Sequence, residues 1–558
     1  MEKNKLNRND IEVLLSKLNE SLQLGKFSKA ELVCKQILDL DAGNILVHEI
    51  LGDLYLRSMN VKDAAEIFKR SIELNSNQAN IFYKLGICYA TIDQHKEALG
   101  FYEKAIELRE GFYEAIYNAA NSLFDLKEFQ RCIDFFNKFI KLNPTFPDAY
   151  LNKGLAYVEL LLPKEAITCF NEAIKINPKY AEAYNNRGNA LRDLKLFNEA
   201  LESFNEAIKI NPNYIDAISN RGVIYWLIKR DDLAISDFNS ANTREALFNL
   251  SLIHLSNLNF KEGWPLYKHR TVIKDIEFDE IEDGCLINAT SILIYAEQGV
   301  GDQVLFLSAL NYLEPFHKKI SVFLDSRLIP LFERSFRNIK FISELEKINK
   351  STYEKIYLSG DVLSHFINGV ETLKINKPFL ISNLNETIKI REKLKNTKKI
   401  ICGISWVSQN NRIGEYKSIN LQCLSKILKM PNLIFVNLQY GNIKDELKKV
   451  KENLKIDIID YDSIDNTKDI DMLASLVDAC DIVLTISNFT AHLSGALGKK
   501  TFLMLPYNSG KLWYWHGNSG VSYWYPSIKI FQQKKFDHWE GLIEEVYNEL
   551  TEFLSCKS

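Results

Sequence analysis

The rhythm of apolar and polar positions changes once along this chain. Up to about Arg270 the apolar residues recur at helical spacing. A longer period is laid over that spacing: Gly52, Gly86, Gly154, Gly188 and Gly222 stand in one 34-residue register, and Ala120 fills the vacant slot. Twelve positions after each slot comes a small residue: Ala64, Ala98, Cys132, Ala166, Ala200 and Ala234. An aromatic follows each of these: Phe68, Tyr102, Phe136, Phe170, Phe204 and Phe238. Proline closes three of the units, at Pro144, Pro178 and Pro212, where it stops a helix. From Ser291 the pattern turns into short apolar runs separated by helical segments, the signature of parallel α/β layers.

The period and its partner positions resemble those of the tetratricopeptide repeat. Each residue type has a packing reason: the small residues lie where two helices of one unit cross closely, and the aromatic fills the gap to the next hairpin. Repeats are expected to start near Ile11, Ile45, Ala79, Tyr113, Pro147, Ala181 and Ile215, with a degenerate helix pair from about Ala246 to Arg270. The first repeat lacks the glycine, as a capping unit should. Such an array curves into a superhelix, an α-solenoid, whose concave face comes from the first helix of each repeat. On that helix, two residues before the glycine slot, stand Asn118, Asn152, Asn186 and Asn220. A carboxamide both donates and accepts, so a column of them can grip the backbone of an extended acceptor peptide. The column resembles the asparagine ladder of eukaryotic O-linked N-acetylglucosamine transferases; asparagine is also a common consensus residue there. The basic clamp of chaperone-binding repeats is not apparent, because Tyr117 and Asp148 occupy the slots where lysines are expected.

The second half divides into two sets of candidate strands. The first set is Ile292–Ala296, Ile320–Leu324, Ile339–Ile342 and Lys355–Leu358. The second is Ile400–Trp406, Leu433–Leu438, Ile456–Ile459, Ile482–Ile486 and Thr501–Leu505. A polar helix near Asn385 to Asn396 separates them, and the last segment, from about Phe536 to Ser555, reads as an amphipathic helix. The implied domains are repeats over 1–270, an acidic linker over 271–290, a first Rossmann-like lobe over 291–384, and the interlobe helix, second lobe and last helix over 385–558. Two such lobes face one another across a cleft lined by strand C-terminal ends.

Two segments can carry chemistry there. Ala296-Glu-Gln-Gly-Val-Gly-Asp-Gln303 follows a strand and opens a helix, so backbone can approach a ligand at Gly299 and Gly301. Thr485-Ile-Ser-Asn-Phe-Thr-Ala-His-Leu-Ser-Gly-Ala-Leu-Gly498 does the same, and the free amides of its helix start, with Ser487, Asn488 and Thr490, suit a diphosphate. With Gly263-Trp264, Tyr267, Gly403 to Trp406, Lys417-Ser418-Ile419, Leu438-Gln439 and Tyr523-Trp-Tyr-Pro526, these segments resemble the heptosyltransferase-related, two-lobed (GT-B) glycosyltransferases, including repeat-fused bacterial protein glycosyltransferases.

That resemblance implies an inverting, metal-independent transfer of a sugar from a nucleotide-sugar donor, with no further cofactor, and a last helix that packs back across both lobes. Asp302 would be the general base that deprotonates an acceptor hydroxyl. Lys417 would neutralise the donor phosphates, and Asn488, Thr490 and the helix beginning there would stabilise the departing diphosphate. Gly299, Gly301, Gln303, Ser418, Gln439, Ser487, Ala491 and His492 complete the implied donor site. Ser487 departs from the family, in which many members have an acidic residue there. Asp302 also fits an ordinary helix N-terminal carboxylate, and His492 a structural histidine. Trp513, Tyr514, Trp515 and His516 could stack on a base or sugar, though such aromatics more often pack a core. Asp469 and Asp471 read as a helix cap with an acidic first turn rather than a metal pair.

Composition narrows the partners. With 69 basic and 72 acidic side chains and no long block of either, nucleic acid is not the expected partner. No run reaches the roughly 18 to 20 apolar residues of a membrane-spanning helix, and residues 1–10 do not resemble a secretory signal, so a cytoplasmic protein is expected. The nine scattered cysteines have neither zinc-knuckle nor redox spacing. Three readings remain: a transferase whose repeats hold a polypeptide acceptor, a transferase acting on a lipid-linked or surface glycan, and an interaction scaffold whose transferase-like domain does not turn over.

Overall fold

The computed structural model describes residues 2–270, 276–281, 285–315, 319–344, 348, 350–373, 377–394, 399–409, 414–441, 443–461, 464–507, 512–535 and 538–556. It forms two compact units, Met1–Ile224 and Tyr225–Ser558.

The first unit is a solenoid of antiparallel helix pairs. Glu2–Gln23 and Phe27–Leu40 precede first helices at Ile45–Arg57, Ala79–Thr91, Tyr113–Asp125, Pro147–Glu159, Ala181–Asp193 and Ile215–Leu227. Proximity explains the small residues: a methyl group on Gly52, Gly86, Gly154 or Gly188 would overlap the ring of Phe68, Tyr102, Phe170 or Phe204. These four rings are buried, and each belongs to its repeat's second helix. The second helices end at Leu142, Ile176 and Ile210, two residues before the prolines.

The turn inside each repeat holds a feature that the sequence pattern does not announce. Met59, Asp93, Lys127, Leu161, Lys195 and Lys229 all take a left-handed backbone, with φ between 58° and 63°. Apart from Asp93, these are side chains that rarely adopt that region, and left-handed geometry costs an L-residue about 1–2 kcal/mol. Leu161 is in addition 85% exposed. Leu161→Gly is therefore expected to stabilise the first unit by about 0.5–1 kcal/mol, read as a raised denaturant midpoint at unchanged slope. A lower midpoint would show that the leucine makes a contact worth more than the strain.

In the second unit, helices Arg244–Ser256 and Phe260–Tyr267 precede two sheets. Leu255, Phe260 and Tyr267 belong to the same buried cluster as the first sheet, which explains why the compact unit begins at 225 and not after Arg270. That sheet contains β1 (Ile292–Tyr295), β2 (Ile320–Phe323), β3 (Ile339–Ile342) and β4 (Lys355–Leu358), all parallel, in the order β3-β2-β1-β4. The second contains β5 (Ile400–Ile404), β6 (Leu433–Asn437), β7 (Ile482–Ile486), β8 (Thr501–Leu505), β9 (Gly517–Asn518), β10 (Val521–Ser522) and β11 (Ile528–Gln532), in the order β6-β5-β7-β8-β11-β10-β9. Its first five strands run parallel, and β10 and β9 close the edge antiparallel.

Three expectations need correction. Ile456–Ile459 forms no strand: it lies outside β6 and meets it in a single bridge, Val436 to Ile459, after a left-handed Lys455. Strands β9 to β11, none of them among the candidate strands, extend the second sheet. The last helix, Trp539–Ser555, packs on one sheet only, because Leu542, Ile543, Val546 and Leu550 all insert into the second sheet's cluster. Its anticipated first residues, 536–537, lie outside the described residues, as do 271–275 and 282–284 of the linker and 395–396 of the polar helix, described as Leu384–Leu394. Within the linker, Asp279 is bound to β4, accepting from Ile356 N–H at 2.8 Å and pairing with Lys355 at 3.0 Å. No described helix is long and apolar enough to cross a membrane.

Candidate functional site

In a parallel sheet, loops diverge where the chain switches from one side of its first strand to the other, and a crevice opens at the strand C-terminal ends. Here the switch lies between β1 and β4 in one sheet and between β5 and β7 in the other. The loops after β1, β5 and β7 line a single cavity of about 300 Å³. Gly299, Gly301, Asp302 and Arg327 come from the first sheet's side. Ser408, Lys417, Tyr440, Ser487, Asn488 and His492 come from the second.

Asp302 is the third residue of helix Val300–Phe306, the position from which a carboxylate can reach back to the helix cap. It accepts from the Gly299 backbone N–H and from the Tyr514 hydroxyl. Burial pushes its carboxyl above the ordinary carboxylate range, against the pull of Tyr514, of Lys417 and of the Gly299 amide. Lys417 is 4% exposed, and burial pushes its ammonium down to about 8, with the Asp302 charge opposing. The cavity thus places a carboxylate and an ammonium near one another, each desolvated, which raises the strength of any charge interaction made there.

His492 is buried behind Gly301. A side chain at 301 would come within 2.9 Å of the imidazole, so glycine is what allows helix Val300–Phe306 to approach helix Phe489–Ala496. Burial, then Lys417, push this imidazole down to about 3, so it stays neutral at any working pH. Its Nδ1 lies 3.1 Å from the Tyr525 hydroxyl, and its ring packs between Tyr514 and Trp515.

The second helix start differs from the expected open anion site in detail. Asn488 lines the cavity, but its amide donates to Ser405 Oγ at 2.6 Å and Val407 O at 3.3 Å, while its Oδ1 accepts from Thr485 at 3.0 Å. The Tyr440 hydroxyl oxygen accepts from the N–H groups of Gln409 and Phe489, so an oxygen already stands at the head of the helix. Ser487, fully buried, accepts from Trp515 Nε1 at 2.9 Å.

Five of the residues assigned to the donor site do not line this cavity. Gln439 is a buried strut whose Oε1 accepts from Ser405 Oγ and from the N–H groups of Trp406 and Val407, at 2.8–3.0 Å. Ser418 accepts from Ser408 N–H at 2.9 Å and donates to Gly414 O at 2.7 Å. Thr490 and Ala491 are fully buried in the helix behind the wall. Gln303 accepts from Asp325 N–H at 3.0 Å and lines a second cavity of about 740 Å³, beside the stacked rings of Tyr295 and Phe323. Arg327 borders both cavities. It pairs with Asp325 and donates to Thr467 O at 2.9 Å.

Tyr440, Arg327 and Asn466 were missed, because nothing local marks a residue whose importance comes from distant chain. Tyr514 stood within a flagged aromatic run, of which Trp513 and Trp515 are core. Asp469 caps its helix by accepting from Met472 N–H at 3.0 Å, and Asp471 pairs with Arg334.

In the repeats, Asn118 donates to the Tyr83 hydroxyl at 3.2 Å, and Asn152 to Tyr117 and Asn121, each at 3.2 Å. Asn220 donates to Asn185 at 3.0 Å, and Asn186 accepts from Asn185 at 3.4 Å. Asn118, Asn152 and Asn220 thus tie their first helices to the preceding ones, whereas the Asn186 bond lies within its own helix.

Models of the tetratricopeptide repeat match residues 51–111 and 181–214, and a further TPR-repeat model matches 164–195. The model of anaphase-promoting complex, cyclosome, subunit 3 matches residues 93–173. Protein FlbA of Caulobacter vibrioides is 28% identical over 322 residues, 52% of this chain and 52% of that protein. The chain thus spans about half the length of the curated relative it matches. Among solved structures, MamA protein is 27% identical over 31% of this chain and 94% of its own, with a TM-score of 0.30. YrrB, described as a TPR protein with an unusual peptide-binding site, is 26% identical over 33% of this chain and 98% of its own, with a TM-score of 0.30. Tetratricopeptide repeats are present, and they point to a role in protein interaction.

Proposed function

We propose that the second unit is a two-lobed, Rossmann-like glycosyltransferase of the GT-B kind, moving a sugar from a nucleotide sugar to an acceptor hydroxyl, with the acceptor polypeptide held by the repeats. The observation that carries this reading is that Asp302 and Lys417 line one cavity at the C-terminal ends of two parallel sheets, close enough for each charge to act on the other. Asp302 takes the acceptor proton as the hydroxyl oxygen bonds to the anomeric carbon. The bond from that carbon to the phosphate oxygen breaks on the opposite face, with inversion, and the nucleoside diphosphate leaves with its charge against Lys417. Phosphate oxygens can take the place of the Tyr440 hydroxyl at the helix start, where two backbone N–H groups already converge. Burial favours a base with a raised pKa, since proton transfer is most efficient when the base is matched to the working pH.

One observation favours a non-catalytic scaffold instead. The Ser487 hydroxyl and the Asn488 carboxamide are both tied to protein groups, so neither is free for a sugar without rearrangement.

The test is a panel of nucleotide sugars against the whole chain. A cognate donor at a hundred times its Kd stabilises by about 2.7 kcal/mol, and donor consumption should follow a bell-shaped pH profile. In kcat/KM the acid limb rises as Asp302 loses its proton, above the ordinary carboxylate range. The basic limb falls near pH 8, as Lys417 loses its charge in the free enzyme. In kcat that basic limb shifts upward, because bound phosphates favour the ammonium. Donor binding without turnover towards any acceptor would leave the scaffold reading.

A further inference from the structure

The first helices of successive repeats carry charge in a pattern that helix stability explains only in part. The second residue of four consecutive first helices is acidic: Glu114, Asp148, Glu182 and Asp216. At the other end of three of these helices the last residue is also acidic: Asp125, Glu159 and Asp193. The first row complements the helix dipole, but the second opposes it, since a carboxylate at a helix C-terminus meets the negative end. Asp125, Glu159 and Asp193 are all exposed, so burial does not explain them either.

Between the two rows run Asn118, Asn152, Asn186 and Asn220. A cavity of about 200 Å³ lined by Asn121, Phe124, Asp125, Asn152 and Leu155 shows that the asparagine column and the C-terminal row open onto one space. The rows are only partly neutralised. Arg109 lies 3.6 Å from Glu114 and Arg192 3.1 Å from Asp193. Among the described residues no lysine or arginine pairs with Asp148, Glu182, Asp216 or Glu159. Asp148 instead accepts from the Tyr180 hydroxyl at 2.6 Å, and burial together with the Asp148 charge raises the Glu182 carboxyl. Like charges held this close disfavour the empty groove and favour any cation that enters it.

We propose that the groove along the first helices from Tyr113 to Ile224 takes an extended polypeptide segment bearing lysine or arginine at every third residue. The spacing follows from geometry. Neighbouring helices pack roughly 8–10 Å apart, and an extended chain rises about 3.3 Å per residue, so three residues span one repeat. The asparagines would meet the peptide backbone, and because side chains three residues apart on an extended chain point to opposite sides, successive cations would turn by turns to the two acidic rows. This names the chemistry of the polypeptide partner in the proposed function and rests on its acceptor half alone.

The test measures fluorescence anisotropy with the full chain, no donor present, and a labelled peptide of Lys-Ser-Gly triplets as probe. Tight binding that weakens with salt is expected. The triple variant Asp148→Asn, Glu182→Gln, Asp216→Asn should bind about tenfold more weakly. Its circular dichroism should be unchanged, because the substitutions are nearly isosteric and a carboxamide in place of the Asp148 carboxylate still offers the Tyr180 hydroxyl an acceptor. Asp302→Asn should bind as the parent does, which separates a failure of this inference from a failure of the transfer reading. Equal binding by a Glu-Ser-Gly peptide, by a peptide of the same composition with its lysines in one block, or by the triple variant would overturn the proposal, as would no binding of the probe.

Discussion

Asp302→Asn is expected to lower kcat for the proposed sugar transfer by about 10²–10⁴-fold, the usual contribution of a positioned general base, or about 2.7–5.5 kcal/mol of barrier. The fold should survive, because an asparagine carbonyl can still accept from the Gly299 N–H and the Tyr514 hydroxyl, the two groups that hold Asp302. Donor affinity needs a controlled pH. Removing the carboxylate takes away the charge that raises the Lys417 pKa, so the ammonium loses its proton below the value of about 8 that it has now. At pH 7 or lower, donor binding should change little while turnover collapses; at pH 8 both should fall. Unaltered turnover at pH 7 would reduce Asp302 to a helix cap.

Arg270→Met carries the largest expected cost in stability. The Arg270 guanidinium is 1% exposed and donates to both oxygens of Glu297, at 2.6 and 2.7 Å, as well as to Asp361 at 2.8 Å. Glu297 is itself 7% exposed and also accepts from Gly360 N–H at 3.0 Å. Removing the cation leaves a desolvated carboxylate without a counter-ion, which typically costs about 3–5 kcal/mol, whereas removing both charges together is close to neutral. The denaturant midpoint of the second unit should therefore drop sharply for Arg270→Met and recover in large part for Arg270→Met with Glu297→Gln. Additive losses would mean that the two residues act independently. Because Glu297 opens the loop that leads to Gly299 and Asp302, the single variant should also loosen the cavity wall.

What could be read from the chain alone follows from how local each constraint is. The repeats were legible because every hairpin solves the same packing problem, so Gly52 facing Phe68 recurs as Gly188 facing Phe204. Strands β1 to β8 were legible as short apolar runs, β1, β7 and β8 buried on both faces throughout. Strands β9 and β10, of two residues each, leave no such run, and Ile456–Ile459 looks like a strand yet sits outside the sheet. Within the candidate site, Asp302 and Lys417 were visible as polar residues in glycine-rich or strand-following segments. The roles of Tyr514 and Tyr440 arise from contacts made across many residues of chain, to Asp302 and to Phe489. Gln439 shows the converse: a polar residue at a strand end looks like a ligand contact until its amide is seen bracing the β5 loop. Ser487 is similar, since the tryptophan N–H that meets its hydroxyl lies beyond the next strand.

The helix pairs of the solenoid pack chiefly against the pairs beside them in sequence. Such an assembly can be cut or spliced in whole units without disturbing distant parts, because each unit's folding free energy is shared only with the one before and the one after. If the groove takes a peptide as proposed, the length of polypeptide that the first unit registers is a digital quantity. A gene duplication of one hairpin would extend the ruler by one step, and a deletion would shorten it by one, while every retained step kept its own selectivity.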